Sequence, residues 1–117
     1  MLVGVPREIK TLEFRVGLTT ASVSELVHHG HQVIVETGAG EGVGLSDAMY
    51  RAAGAEIVAS AGEVFERAEL VVKVKEPQPE ECRMLRPGQV LFTYLHLAPD
   101  PEQTRMLMES GCIAIAY

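Results

Sequence analysis

The chain alternates short runs of β-branched, apolar residues with stretches whose apolar positions recur at helical spacing. The first apolar run is Leu2 to Val5, closed by Pro6. The second, Gln32 to Val35, follows a window in which Val23, Leu26 and Val27 fall on one helical face. Thr19 offers a hydroxyl to cap the start of that helix, and Gly30 suits the left-handed turn that stops it. A third run, Glu56 to Val58, comes after another helical window ending near Gly54.

Ser60 and Glu63 form an S-x-x-E pair, which predicts a capping box and a helix over Ala61 to Arg67. Leu70 to Val74 and Val90 to Leu95 read as two further strands. Between them, Pro77 and Pro79 discourage any helix or strand until about Glu80. Asp100, Pro101 and Gln103 give a cap, a first-turn proline and a reciprocal partner, so the next helix runs to Gly111. Ile113 to Ala116 is the last strand. Strands that alternate with helices and read as continuous apolar runs predict an α/β fold, a Rossmann-like, mostly parallel sheet flanked by helices. The chain ends on a strand at Tyr117, so this sheet is expected to be incomplete without the rest of a longer parent chain.

Ligands of such sheets bind at the carboxyl ends of the strands, where strand order reverses. Four polar residues fall there. Arg15 lies in the polar stretch after the first strand, Lys75 ends the run from Leu70, and Tyr94 and His96 end the run from Val90. An arginine can hold a carboxylate through two parallel hydrogen bonds, and a lysine adds a second positive charge on a carboxylate or carbonyl oxygen. A histidine can trade protons near neutral pH. Together they suit a small oxo or amino acid, although each also fits a solvated loop residue.

Composition narrows the possibilities. The 117 residues make one domain, with no repeat or linker, and the formal charge of −6 argues against nucleic acid as a partner. No apolar run approaches the roughly 20 residues that span a bilayer, and the N-terminus lacks the pattern of a signal peptide. Cys82 and Cys112 match no zinc or redox spacing and are expected as buried free thiols in a reducing compartment, which points to the cytoplasm. The glycine run from Gly38 to Gly44 misses the spacing of a nucleotide fingerprint and is expected to be a flexible structural loop. His28, His29 and His31 contain no i, i+4 pair and predict a polar helix end, with no metal.

Four blocks resemble one family. GVPREIKTLEFRVGLT, HQVIVETGAGEGVGLSD, AELVVKVKEPQPEE and LFTYLHLA are similar, in that order, to the N-terminal region of the alanine dehydrogenase and nicotinamide transhydrogenase family. The resemblance covers essentially the whole chain. Its transhydrogenase members share the G-[IV]-P-[RK]-E start and the V-E-[ST]-G-A-G block but are not expected to carry Y-L-H-L, so His96 favours the amino-acid enzymes. Saccharopine dehydrogenases rank third.

The resemblance implies reversible oxidative deamination of L-alanine to pyruvate and ammonia with NAD as hydride acceptor. It makes Arg15 the ligand of the substrate carboxylate, Lys75 a contact to the substrate oxygens, His96 the catalytic acid–base group and Tyr94 a wall of the pocket. It further implies that residues 1–117 are the substrate-binding domain, that NAD is held by a nucleotide domain absent from this chain, and that the parent is a homo-oligomer, commonly a hexamer. The isolated chain is then expected to be inactive. Two other readings stay open: the N-terminal part of a proton-translocating transhydrogenase α subunit, and a stand-alone module that binds small carboxylates.

Overall fold

The apolar runs form the strands. The structure, a computed structural model, describes residues 1–117. Its strands are β1 (Leu2–Val5), β2 (Gln32–Glu36), β3 (Glu56–Val58), β4 (Leu70–Val72), β5 (Val90–Thr93) and β6 (Ile113–Ala116). Its helices are α1 (Thr20–His28), α2 (Asp47–Ala52), α3 (Ala61–Arg67), α4 (Pro79–Cys82) and α5 (Pro101–Ser110). All six strands are parallel, in the order β3-β2-β1-β4-β5-β6. The chain winds outward from β1 in one direction and then, from β4, in the other. The topological switch therefore lies between β1 and β4, where a sheet of this kind opens a crevice at its carboxyl end.

Both faces of the β1–β4 centre are packed. Val3, Val5, Val33, Val35 and Val72 point to the side of α1 and α2, where they meet Val23 and Tyr50. On the opposite face α3 comes so close that a Cβ on Gly4 would sit 2.6 Å from Ala68 Cβ and 2.7 Å from Val64 Cγ1. Phe65, Val71, Leu91 and Leu107 continue the core beneath α3 and α5. Thr19 caps α1 by accepting from the Ser22 amide, and Gly30 adopts φ 88° just past its end.

Several ends differ from the sequence expectation, each for a local reason. The helix between the prolines starts at Pro79, because a proline at the first helical position loses no hydrogen bond there. Ser60 accepts from the Glu63 amide, but the Glu63 carboxylate turns to Arg67 and does not close the box. Asp100 likewise caps Gln103, whose own amide donates to the Leu95 carbonyl at 3.0 Å. The apolar runs ending at Val74 and Leu95 stop pairing as strands at Val72 and Thr93.

Cys82 is buried, and burial pushes its thiol up to about 11, whereas Cys112 is only half-buried. His29 pairs with Glu25 at 3.0 Å, and His31 Nδ1 lies 3.1 Å from the amino terminus. No helix is long and apolar enough to cross a membrane.

The packing is uneven at one edge. All four residues of β6 are exposed, with Ile113 at 53% and Ile115 at 47%. In register these two continue Val90 and Phe92 of β5 on the face of α1 and α2, which those helices do not reach. An apolar half-face of this kind drives association. The 117 residues on their own are expected to self-associate, and light scattering showing a monodisperse monomer would contradict this.

Candidate substrate site at the sheet switch point

The segment after β1 carries Arg15, and glycines let it lie flat against the sheet end. A Cβ on Gly17 would sit 2.5 Å from the Val72 carbonyl oxygen, so only glycine allows this approach to β4. From outside, Gly42 packs on Phe14, where a Cβ would fall 2.7 Å from the Phe14 carbonyl oxygen. The buried Tyr50 donates its hydroxyl hydrogen to the Leu18 carbonyl at 2.7 Å, which pins the segment's far end.

Within that frame Arg15 is gripped by Glu13. Arg15 Nε donates to Glu13 Oε2 at 3.0 Å and Nη2 to Oε1 at 2.7 Å, while the Arg15 amide also reaches Oε2. Nη1 makes no hydrogen bond inside the chain, and the guanidinium stays largely exposed. The Arg15 hydrogen bonds hold the Glu13 carboxyl far below its ordinary 4.5, at about 2, with the charge of Lys75 adding a smaller pull. A depressed carboxylate stabilises the fold above its ordinary value and loses that contribution as pH falls through the lowered one. Glu13→Gln is therefore expected to flatten the pH dependence of thermal stability between pH 4.5 and about 2. An unchanged acid limb would show that the pair contributes nothing.

Lys75 stands across the crevice. Its ammonium makes no ion pair and lies 5.5 Å from the centroid of the Tyr94 ring. Its backbone is held firmly: the amide donates to Glu8 Oε1 at 3.2 Å, and its carbonyl accepts from Thr93 Oγ1 at 2.9 Å. Arg15, Lys75, Tyr94, Val74 and Tyr117 line one open cavity of about 290 Å³. The Tyr117 hydroxyl donates to the Val74 carbonyl at 2.9 Å and closes one side.

His96 sits one hydrogen bond away. It does not line the cavity, but its Nδ1 lies 2.9 Å from the Tyr94 hydroxyl. Its backbone is left-handed at φ 49°, a conformation uncommon outside glycine and costly enough that surrounding structure must hold it. The geometry thus brings Arg15, Lys75 and Tyr94 together and attaches His96 through Tyr94. Two cations over a small, open cavity suit a carboxylate with a neighbouring carbonyl.

In the glycine run the amides at Gly38, Ala39, Glu41, Val43, Gly44 and Leu45 donate to carbonyls between Glu36 and Glu41 or to the Asp47 carboxylate. Thr37 and Asp47 tie the loop at 2.6 Å, and through Gly42 it buttresses Phe14, the structural role expected of it.

Sequence reasoning missed the residues that place these groups: Glu8, Glu13, Tyr50, Lys73 and Tyr117. One signal was available. Lys73 interrupts an apolar run in a strand buried on both faces, and a charge there demands a buried partner.

Residues 4–117 match the family described as alanine dehydrogenase/PNT, N-terminal domain. The chain belongs to that family. Alanine dehydrogenase of Bacillus subtilis is 55% identical over 117 residues, and that of Methanococcus maripaludis 52%; each comparison covers 100% of this chain and 31% of the relative. A solved L-alanine dehydrogenase superposes with a TM-score of 0.97 at 54% identity, over 100% of this chain and 32% of its own. The transhydrogenase from Sinorhizobium meliloti gives 0.92 at 28% identity, covering 99% and 33%. The chain thus spans about a third of the length of the relatives it matches. Within the family, the identities favour the alanine dehydrogenase branch over the transhydrogenases.

Proposed function

We propose that residues 1–117 are the substrate-binding domain of an NAD-dependent enzyme that reversibly deaminates L-alanine to pyruvate and ammonia. The observation that carries this reading is the paired arrangement of Arg15 and Lys75 around one cavity at the sheet switch point. Arg15 presents its uncommitted Nη1 edge to the substrate carboxylate. Lys75, whose ammonium has no partner of its own, meets the oxo oxygen and favours the polarised carbonyl. Holding both ends of so short a molecule fixes its orientation before any bond changes.

His96 handles the protons. Tyr94 occupies Nδ1, which leaves Nε2 to take a proton from the water that adds to the imine and to return one as the carbinolamine releases ammonia. NAD supplies the hydride acceptor and is bound by a nucleotide domain outside these residues. The parent is a homo-oligomer, hexameric in this reading, and works in the cytoplasm.

The test is direct. The full-length protein carrying this chain is expected to reduce NAD when given L-alanine, followed by nicotinamide absorbance, while the 117 residues alone are silent. Saturable pyruvate binding without any alanine-dependent reduction would instead make it a carboxylate-binding module.

A further inference from the structure

One buried carboxylate connects the two loops of the candidate site. Glu8 lies on the segment that follows β1 and also leads to Arg15. Its side chain is 2% exposed, and both of its oxygens are used. Oε1 accepts from Lys73 Nζ at 3.0 Å and from the Lys75 amide at 3.2 Å; Oε2 accepts from the Val74 amide at 3.1 Å. Backbone bonding to β5 runs on through the Lys73 amide, which donates to the Phe92 carbonyl at 3.0 Å, but the amides of Val74 and Lys75 meet no backbone carbonyl. Glu8 takes the place of one.

An ion pair with Lys73 alone would need one oxygen. The second oxygen, and the sharing of the first, go to two successive amides at the point where the chain leaves the sheet. Thr93 holds the carbonyl of Lys75 at 2.9 Å, so the residue is fixed at both ends of its backbone while its ammonium stays unpaired. That division, rigid main chain and free charged tip, is what aiming a ligand-binding side chain requires.

We propose that Glu8 is a positioning residue for the oxo-acid site, setting the direction of Lys75 and its distance from Arg15 across the β1–β4 crevice. This rests on the reading of Lys75 as a substrate contact. Glu8 touches no substrate itself. An amide in its place keeps one acceptor atom and turns a donor either toward the Lys73 ammonium and the Lys75 amide together or toward the Val74 amide, so one contact to the Lys75 segment is lost.

The experiment is steady-state kinetics of the full-length protein with pyruvate, ammonium and NADH. Glu8→Gln is expected to raise KM for pyruvate about tenfold, as for the loss of one hydrogen bond to a charged group, and to leave KM for NADH within about twofold. In a Lys75→Ala background the same change is expected to add nothing to KM for pyruvate, because Glu8 acts through Lys75. Glu8→Asp, too short to span both amides but still paired with Lys73, is expected to fall between, and it replaces Glu8→Gln if that variant does not fold. A folded Glu8→Gln or Glu8→Asp protein with unchanged KM for pyruvate overturns the proposal, as does an equal penalty with and without Lys75. If Lys75→Ala alone leaves KM for pyruvate unchanged, the substrate reading falls and takes this proposal with it, an outcome recognisable from that single variant.

Discussion

Replacing Lys73 with alanine is expected to cost the domain roughly 3–5 kcal/mol, the range for breaking a buried ion pair from one side. Lys73 is 1% exposed and faces two carboxylates, Glu8 and Glu81, that are themselves 2% and 1% exposed. Glu8 keeps its two amide donors without Lys73. Glu81 fares worse. Its Oε1 accepts from the Gln78 amide, but its Oε2 has Lys73, at 3.0 Å, as its one partner. Burial already pushes the Glu81 carboxyl up, against the downward pull of Lys73. Without the ammonium that pull vanishes, and Glu81 must either bury an unpaired charge or take up a proton. The sign follows: a carboxyl raised in the fold binds its proton more tightly when folded, so the deficit is smallest at and below its ordinary 4.5 and grows as pH rises above it. Denaturant unfolding of Lys73→Ala at neutral and mildly acidic pH checks both points. Full stability at pH 7 would mean that water reaches the cluster. A typical domain has only about 5–15 kcal/mol to lose, so this one substitution threatens the fold.

The strands were legible because their residues are β-branched, apolar and bounded by proline, glycine or capping residues. Val33 to Val35 and Ile113 to Ala116 could hardly be anything else. Strand ends were not, because they are decided by distant side chains. Beyond Lys73 the amides of Val74 and Lys75 turn to a carboxylate from Glu8, and nothing in the local pattern from Leu70 to Lys75 announces that partner. The candidate site follows the same division. Arg15, Lys75 and Tyr94 could be placed together from topology alone, since parallel strands bring their carboxyl ends to one edge. The grip of Glu13 on Arg15, the left-handed backbone of His96 and the flat approach of Gly17 to β4 depend on three-dimensional contacts with no periodic signature.

Pyruvate binding is where Arg15 and His96 are expected to part. Arg15→Ala should weaken it by roughly 2–5 kcal/mol, about thirtyfold to several thousandfold, by analogy with truncating one partner of a charged, hydrogen-bonded pair. The upper part of that range is favoured by Glu13. With the guanidinium gone, a carboxylate held ionised by Arg15 is left beside the cavity, and an incoming anion meets a negative charge where it met a positive one. Removing that charge as well, in Glu13→Gln with Arg15→Ala, should therefore recover part of the binding, which a purely steric role for Arg15 would not allow. His96→Ala touches neither cation and lies outside the cavity lining, so it should leave pyruvate affinity nearly intact while turnover of the full-length protein falls by about 10²–10⁴-fold, the usual contribution of a general acid–base group. Calorimetry beside steady-state rates separates the two effects. Arg15→Ala with wild-type affinity would remove the carboxylate from this crevice, and His96→Ala with wild-type turnover would send the search for the proton carrier to the rest of the protein.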